Sequence, residues 1–327
     1  LGGQIVIFKR ALWIVMGVLC LAFALGLARF FYGGRVVDLP PKESFDLVAH
    51  RGVHTMWKQG TYDRATGCEA THIYKPTHQY LENTLESMAA AFEMEATLVE
   101  IDVRRSSDGH LVIFHDYALE CRTNGQGDVS DHPLAYLKSL DIGYGYTPDD
   151  GKTYPLRGLG VGKMPTLVEV LETFPDRRFL IDHKDGSMQT AKLLVEILQD
   201  LPPEQQSLLT YWGSEETYVF VHDQVPAVTR FFGQRWQVKR CLLPYLLTLG
   251  LSGVPENCGG MGIGLPVEYT KYAWGWPYRF LKGLSDAGMR FYLMVDSEED
   301  AQAFADIPAD GIVTDWIQVV APYYRDR

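Results

Sequence analysis

The chain has 327 residues, 46% of them apolar and 22% charged, which excludes a disordered or collagen-like protein. Lys and Arg number 30 against 41 Asp and Glu, a net charge of −11. Such a balance gives no long-range attraction for nucleic acid or an anionic bilayer, so an anionic substrate would need a bound cation or a local Arg/Lys cluster.

Residues 1–32 carry the uncharged run Ala11–Ala28, preceded by Lys9 and Arg10 and followed by Arg29 and Arg35. The run is just long enough for a hydrocarbon core, and Phe30, Phe31 and Tyr32 form an aromatic edge of the kind found at membrane interfaces. Three readings stand: a transmembrane signal anchor, a signal peptide cleaved at Gly26-Leu27-Ala28, and a buried core helix. The first is the expectation, and it makes the protein a single-pass membrane protein with its main domain on the extracytoplasmic side. Residues 33–44 read as a Gly/Pro linker.

From 45 to 327, short apolar runs alternate with helical patterns. Strands are expected at 45–49, 98–103, 111–114, 179–181, 207–211, 228–232, 261–265, 291–295 and 311–314. Helices are expected at 84–95, 133–140, 166–174, 188–201 and 278–287, with Thr166 and Glu169 placed as a capping box. This alternation predicts a TIM (β/α)8 barrel behind one N-terminal transmembrane helix. There is one strand candidate too many, and 228–232 is the weakest. The stretches 53–80 and 141–165 are long for barrel loops and are expected over the active site. The apolar stretch 241–252 reads either as a membrane-touching rim with Trp274, Trp276 and Tyr278 or as a barrel helix packed in the core. Cys68 and Cys121 fall in loops at one end of the barrel, where they can form a disulfide or remain buried thiols; an oxidising compartment favours the bridge.

Several strands are apolar until they end in groups that titrate: Val48-Ala49-His50-Arg51, Val99-Glu100-Ile101-Asp102, Phe114-His115-Asp116 and Ile181-Asp182-His183-Lys184. Barrel enzymes build catalysis at the C-terminal strand ends. Glu100 and Asp102 are two apart on one strand and face the same way. With Asp182 they make an oxygen-ligand set suited to Ca2+ or Mg2+. His50 and His115 suit general acid–base work on a phosphodiester, and Arg51 and Lys184 suit its non-bridging oxygens. The other histidines read as surface or loop residues. Only 104–110 separate the second and third strands, a hairpin spacing with Asp108-Gly109 as its turn. A hairpin would put His115 at the wrong end, so a tight parallel crossover is expected instead.

The ordered set His50-Arg51-Gly52, Glu82-Asn83-Thr84, Glu100-x-Asp102, Asp108-Gly109-x-Leu111-Val112-x-x-His115-Asp116, Arg122-Thr123-x-Gly125-x-Gly127, Pro165-Thr166-Leu167 and Asp310-Gly311-Ile312-Val313-Thr314-Asp315 resembles the glycerophosphodiester phosphodiesterase family. The resemblance covers about 50–316. It implies metal-dependent hydrolysis of glycerophosphodiesters to sn-glycerol 3-phosphate and an alcohol. The metal would sit on Glu100, Asp102 and Asp182, with His50 and His115 as acid and base, Arg51 and Lys184 near phosphate, and Glu82 and Asn83 in support. Two alternatives are a membrane-associated lysophospholipase D and a catalytically decayed, membrane-tethered lipid-binding barrel. The sequence departs from the family where Asp182-His183-Lys184 replaces Glu-x-Lys and where Tyr292–Asp296 replaces Trp-Thr-Val-Asn. Its first insertion is also longer.

Overall fold

The computed structural model describes residues 2–33, 37–40, 42, 44–58 and 68–325; along the N-terminal helix the described side chains are Arg10 and 13–27. The side chains of the expected aromatic edge Phe30–Tyr32 and of Lys9 and Arg29 lie outside what is described, as do Arg35, parts of the linker, and 59–67 of the first insertion.

The strands are β1 (Asp46–His50), β2 (Leu98–Arg105), β3 (Leu111–Ile113), β4 (Phe179–His183), β5 (Leu209–Trp212), β6 (Thr229–Arg230), β7 (Gly262–Pro266), β8 (Arg290–Met294) and β9 (Gly311–Thr314). All but β3 run parallel, in the order β6-β5-β4-β2-β1-β9-β8-β7. Just beyond β6, Phe232 bridges Gly262 of β7 in parallel, bringing the two edges of the sheet together. A buried parallel barrel covered by helices demands strands apolar on both faces, which is how these runs read. The expected helix starts hold as well: Thr166 and Glu169 form the capping box of Leu167–Thr173, and Thr84 caps Leu85–Glu93.

Two strand expectations are corrected. The segment 228–232 supplies β6 and belongs in the barrel. The extra strand is β3, which turns back antiparallel on β2 with Val103 opposite Ile113. The hairpin therefore exists and no parallel crossover is needed. It does not separate the catalytic candidates, because Glu100 and Asp102 lie mid-strand. β2 continues past them, and the chain returns with Phe114 N–H donating to the Asp102 carbonyl at 2.9 Å.

Strand alternation explains which side chains enter the lumen. Val48, Leu98, Leu180, Phe231, Phe232 and Tyr292 form one core cluster inside the barrel. Two residues further along β1, β2 and β4 come His50, Glu100 and Asp182, on the same face as those apolar residues. Parallel register sets His50 beside Glu100 and Asp102 beside Asp182. A larger cluster, including Ala49, Val99, Ile101 and Ile181, fills the space between strands and helices. A further core joins the two insertions to the β3 region through Cys68, Ala70, Ile73, Leu119, Ile142 and Tyr146. The described parts of 53–80 and 141–165 thus pack on one another as well as lining the site, with Thr147 N–H donating to the Ala70 carbonyl at 2.9 Å.

Disulfides join Cys68 to Cys121 and Cys241 to Cys258. The second anchors the helix Arg235–Leu247, whose Cys241 and Tyr245 pack in the core as the barrel-helix reading expects, whereas Leu243 and Leu247, and Leu251 beyond the helix, are exposed. The run Ala11–Ala28 lies on one helix, Gly2–Gly33, with Trp13, Leu19 and Phe23 projecting outward. Among the described residues no helix is long and apolar enough to cross a membrane.

Candidate active site

Three carboxylates meet at the C-terminal mouth of the barrel. Glu100, Asp102 and Asp182 each bring an oxygen to within 4.8 Å of the others, and all three are buried. Asn83 brackets Asp102: its Nδ2 donates to Oδ2 at 2.6 Å, and the Asp102 N–H donates to its Oδ1 at 3.2 Å. That grip needs the left-handed backbone of Asn83 (φ 58°), which Asn tolerates better than most residues. Arg51 is also left-handed (φ 60°), and the following Gly52 (φ 78°) lies where a Cβ would meet the Ser87 backbone at 2.9 Å. The His-Arg-Gly turn is thus a steric requirement of the site.

The expected phosphate ligands are already engaged. Lys184 Nζ lies 2.8 Å from Asp102 Oδ1 and donates to Asp182 Oδ2. Arg51 is buried, 3.1 Å from Glu82, 3.4 Å from Asp102 and 3.6 Å from Glu69. Burial and the neighbouring Asp102 push Glu100 up to about 8, and burial also raises Asp182. Asp102 is held well below the usual carboxylate range: its burial opposes this, but Lys184 and other nearby cations outweigh it. Glu100 Oε1 is buried without a hydrogen-bond partner. A hard divalent cation fits such a set, because it takes oxygen ligands and offsets the burial and mutual repulsion that raise Glu100 and Asp182.

Two imidazoles flank the acids, each tied at Nδ1 to a carboxylate: His50 to Asp315, and His115 to Asp116 at 2.7 Å. His50 Nε2 lies 3.7 Å from Glu100. Their environments push them apart. Burial opposes the charged form of His50, but Glu100 and Asp315 raise it to about 9. Burial and the nearby Arg51 drive His115 well below its ordinary value. Opposed shifts of this kind suit one proton donor and one acceptor.

Behind the site lies a charge network of which only Glu82 was expected from the sequence, in a supporting role. Arg122, among the largest fully buried side chains, donates to Asp116 at 2.9 Å, Glu82 at 2.8 Å, Tyr146 at 2.9 Å, and Glu69. Burial pushes Asp116 up to about 6 even beside Arg122. Glu69, His115 and Asp116 also approach one another closely, but Arg122 already compensates both acids. Arg122, Asp116 and Asp315 all stand in the quoted motifs, so a signal existed for them. Glu69 had none beyond its place next to Cys68.

Two histidines read as surface or loop residues are in fact buried. His54 stacks on Trp57 with ring centroids 5.0 Å apart. His183 points away from the acids, to the Tyr211 hydroxyl at 2.6 Å and Asp185 at 2.7 Å. This is the alternation of β4 at work, since Asp182 faces the lumen.

Residues 66–222 match the family described as the Glycerophosphoryl diester phosphodiesterase family. A glycerophosphodiester phosphodiesterase of Caldanaerobacter subterraneus is 37% identical over 101 residues, 31% of this chain and 38% of that protein. One from Bacillus subtilis is 39% identical over 97 residues, 28% of this chain and 31% of that protein. The aligned stretches thus span roughly a third of these curated relatives. An Oleispira antarctica phosphodiesterase, solved in complex with the product sn-glycerol-3-phosphate, is similar in fold with a TM-score of 0.56 at 23% identity, covering 86% of this chain and 96% of that one. The match to the glycerophosphoryl diester phosphodiesterase family thus rests on residues 66–222, and the motifs and the barrel around them are similar to that family's.

Proposed function

We propose that this chain hydrolyses glycerophosphodiesters to sn-glycerol 3-phosphate and an alcohol, using a divalent cation, Ca2+ or Mg2+, held by Glu100, Asp102 and Asp182. The observation that carries this reading is the convergence of those three oxygens beside two carboxylate-tethered imidazoles at the barrel mouth. When bound, the cation would neutralise phosphate charge and polarise the ester. Lys184 and Arg51 add positive charge on the same side of the site and orient the phosphate. His50 and His115 are fixed at Nδ1, which directs their other ring nitrogens to chemistry. One takes a proton from the attacking water or from a neighbouring glycerol hydroxyl, and the other returns a proton to the alkoxide as its P–O bond breaks. Asn83 and Glu82 hold Asp102 and Arg51 in place.

The test is release of sn-glycerol 3-phosphate from glycerophosphodiesters with and without EDTA, for the wild type and for His50→Ala and His115→Ala. The reading requires chelator-sensitive turnover that either substitution abolishes. Turnover of lysophospholipids alone would favour the lysophospholipase D reading. Inertness towards every phosphodiester with metal restored would favour the decayed lipid-binding barrel.

We also infer that the N-terminal helix anchors the chain in a bilayer with the barrel on the extracytoplasmic side. The uncharged run Ala11–Ala28 and its outward apolar side chains support the anchor. The two disulfides in the barrel domain support an oxidising compartment. Retention of the full chain in membranes after alkaline carbonate extraction is the expected result; release into the supernatant contradicts it.

A further inference from the structure

The mouth of the barrel is chemically two-sided. Lys184 and Arg51 stand among the acids on the β2–β4 side. Towards β5, β8 and β9 lies a cavity of about 190 Å3 lined by His50, Glu100, Leu180, Trp212, Phe232, Met294, Asp296, Val313 and Asp315. No Lys or Arg lines it, and its volume is below the ~300 Å3 at which drug-sized pockets begin. It suits a small alcohol.

Its walls combine aromatic rings with a carboxylate. Trp212 and Phe232 meet edge to face with centroids 5.5 Å apart. Asp296 is fixed by the Asp315 N–H, which donates to its Oδ1 at 2.8 Å. Asp315 is bonded directly to His50, whereas Asp296 forms no salt bridge among the described residues and feels the His50 charge only through space. Asp296 comes from the stretch where Tyr292–Asp296 departs from the family pattern. A site walled by aromatic rings and an acid attracts an organic cation through the ring quadrupoles and direct charge, most strongly where water is excluded.

We propose that Trp212, Phe232 and Asp296 form a subsite for the leaving alcohol that selects a positively charged headgroup, quaternary ammonium above all. This rests on the diesterase reading and names its substrate class: a zwitterion whose phosphate lies on the Lys184 side and whose ammonium lies against Asp296. Burial and the nearby Asp315 make a charged Asp296 costly, and a bound ammonium offsets both.

The test compares kcat/KM for the choline ester of glycerol 3-phosphate with that for its 3,3-dimethylbutyl ester, in which carbon replaces nitrogen at nearly constant shape. The glycerol ester serves as a third substrate. In the wild type the choline ester should be favoured over the dimethylbutyl ester by about tenfold or more. Asp296→Asn, which keeps the acceptor for the Asp315 N–H, and Trp212→Leu should each collapse that ratio towards one. The ratio cancels any general loss of activity. Equal rates for the two isosteres, or a preference that survives both substitutions, overturn the subsite while leaving the diesterase reading intact. Should none of the three esters be hydrolysed with metal present, the diesterase reading fails and the subsite fails with it.

Discussion

Glu69 and Arg122 each follow a half-cystine of the Cys68–Cys121 bridge, and their side chains are paired with one another in the buried interior. Through Arg122 the bridge reaches Asp116, and through Asp116 it reaches His115. Through Glu69 and Glu82 it reaches Arg51. One covalent link thus ties the described end of the first insertion to both a catalytic candidate and the His-Arg-Gly turn.

Replacing Cys68 and Cys121 with Ser should therefore act on both stability and catalysis. The bridge closes a loop with a sequence separation of 53, worth up to about 4 kcal/mol by loop entropy. Urea unfolding should show a loss of that order or less. Well below the new unfolding midpoint, kcat should still fall, because Arg122 no longer holds Asp116 against His115. Unchanged kcat in the folded double variant would show that the bridge serves stability alone.

Asp315→Asn should move the pH–rate profile. Asp315 and Glu100 are the carboxylates that raise His50, so the substitution removes one of them. The limb belonging to His50 should shift to lower pH by about 1 unit or more. A profile that loses amplitude with its limbs unmoved would mean that His50 is not the titrating group.

At the opposite end of the barrel, Asp46 has its side chain fully buried and bonded to Arg178 at 2.6 Å, Arg290 at 2.6 Å and the Tyr292 hydroxyl at 2.9 Å. Burial alone would raise its pKa, but these partners lower it on balance. A carboxylate depressed in the folded state contributes stability above its unfolded pKa of about 3.9, and that stability is lost as pH falls through the folded value. Asp46→Asn should cost about 2 kcal/mol at pH 7, discounted because both arginines reach solvent. The cost should shrink towards pH 3, as measured by unfolding across that range. A constant difference between wild type and variant would contradict the linkage.

The barrel and most of its mouth were legible because one rule governs them. A two-residue period carries the apolar lumen residues Val48, Leu98 and Leu180 on to His50, Glu100 and Asp182, so strand and site share a pattern. The β2–β3 hairpin was legible as spacing, yet its consequence was not, because sequence does not show that β2 runs on past Glu100 and Asp102. Arg122 stood in a visible motif, but a buried cation serving three acids declares itself only when segments 40 and 53 residues away come together. The pairing of Cys241 with Cys258 likewise depends on where the helix Arg235–Leu247 lands, which its mixed apolar face did not fix.

The central claim is that Glu100, Asp102 and Asp182 jointly hold one divalent cation needed for turnover. Calorimetric titration of the chelator-stripped chain with Ca2+ and with Mg2+, repeated on Glu100→Gln, tests it most directly. The account predicts a single site in the wild type, lost or weakened at least about tenfold in the variant, with diester hydrolysis falling in parallel. Undiminished metal binding and turnover in Glu100→Gln would contradict it.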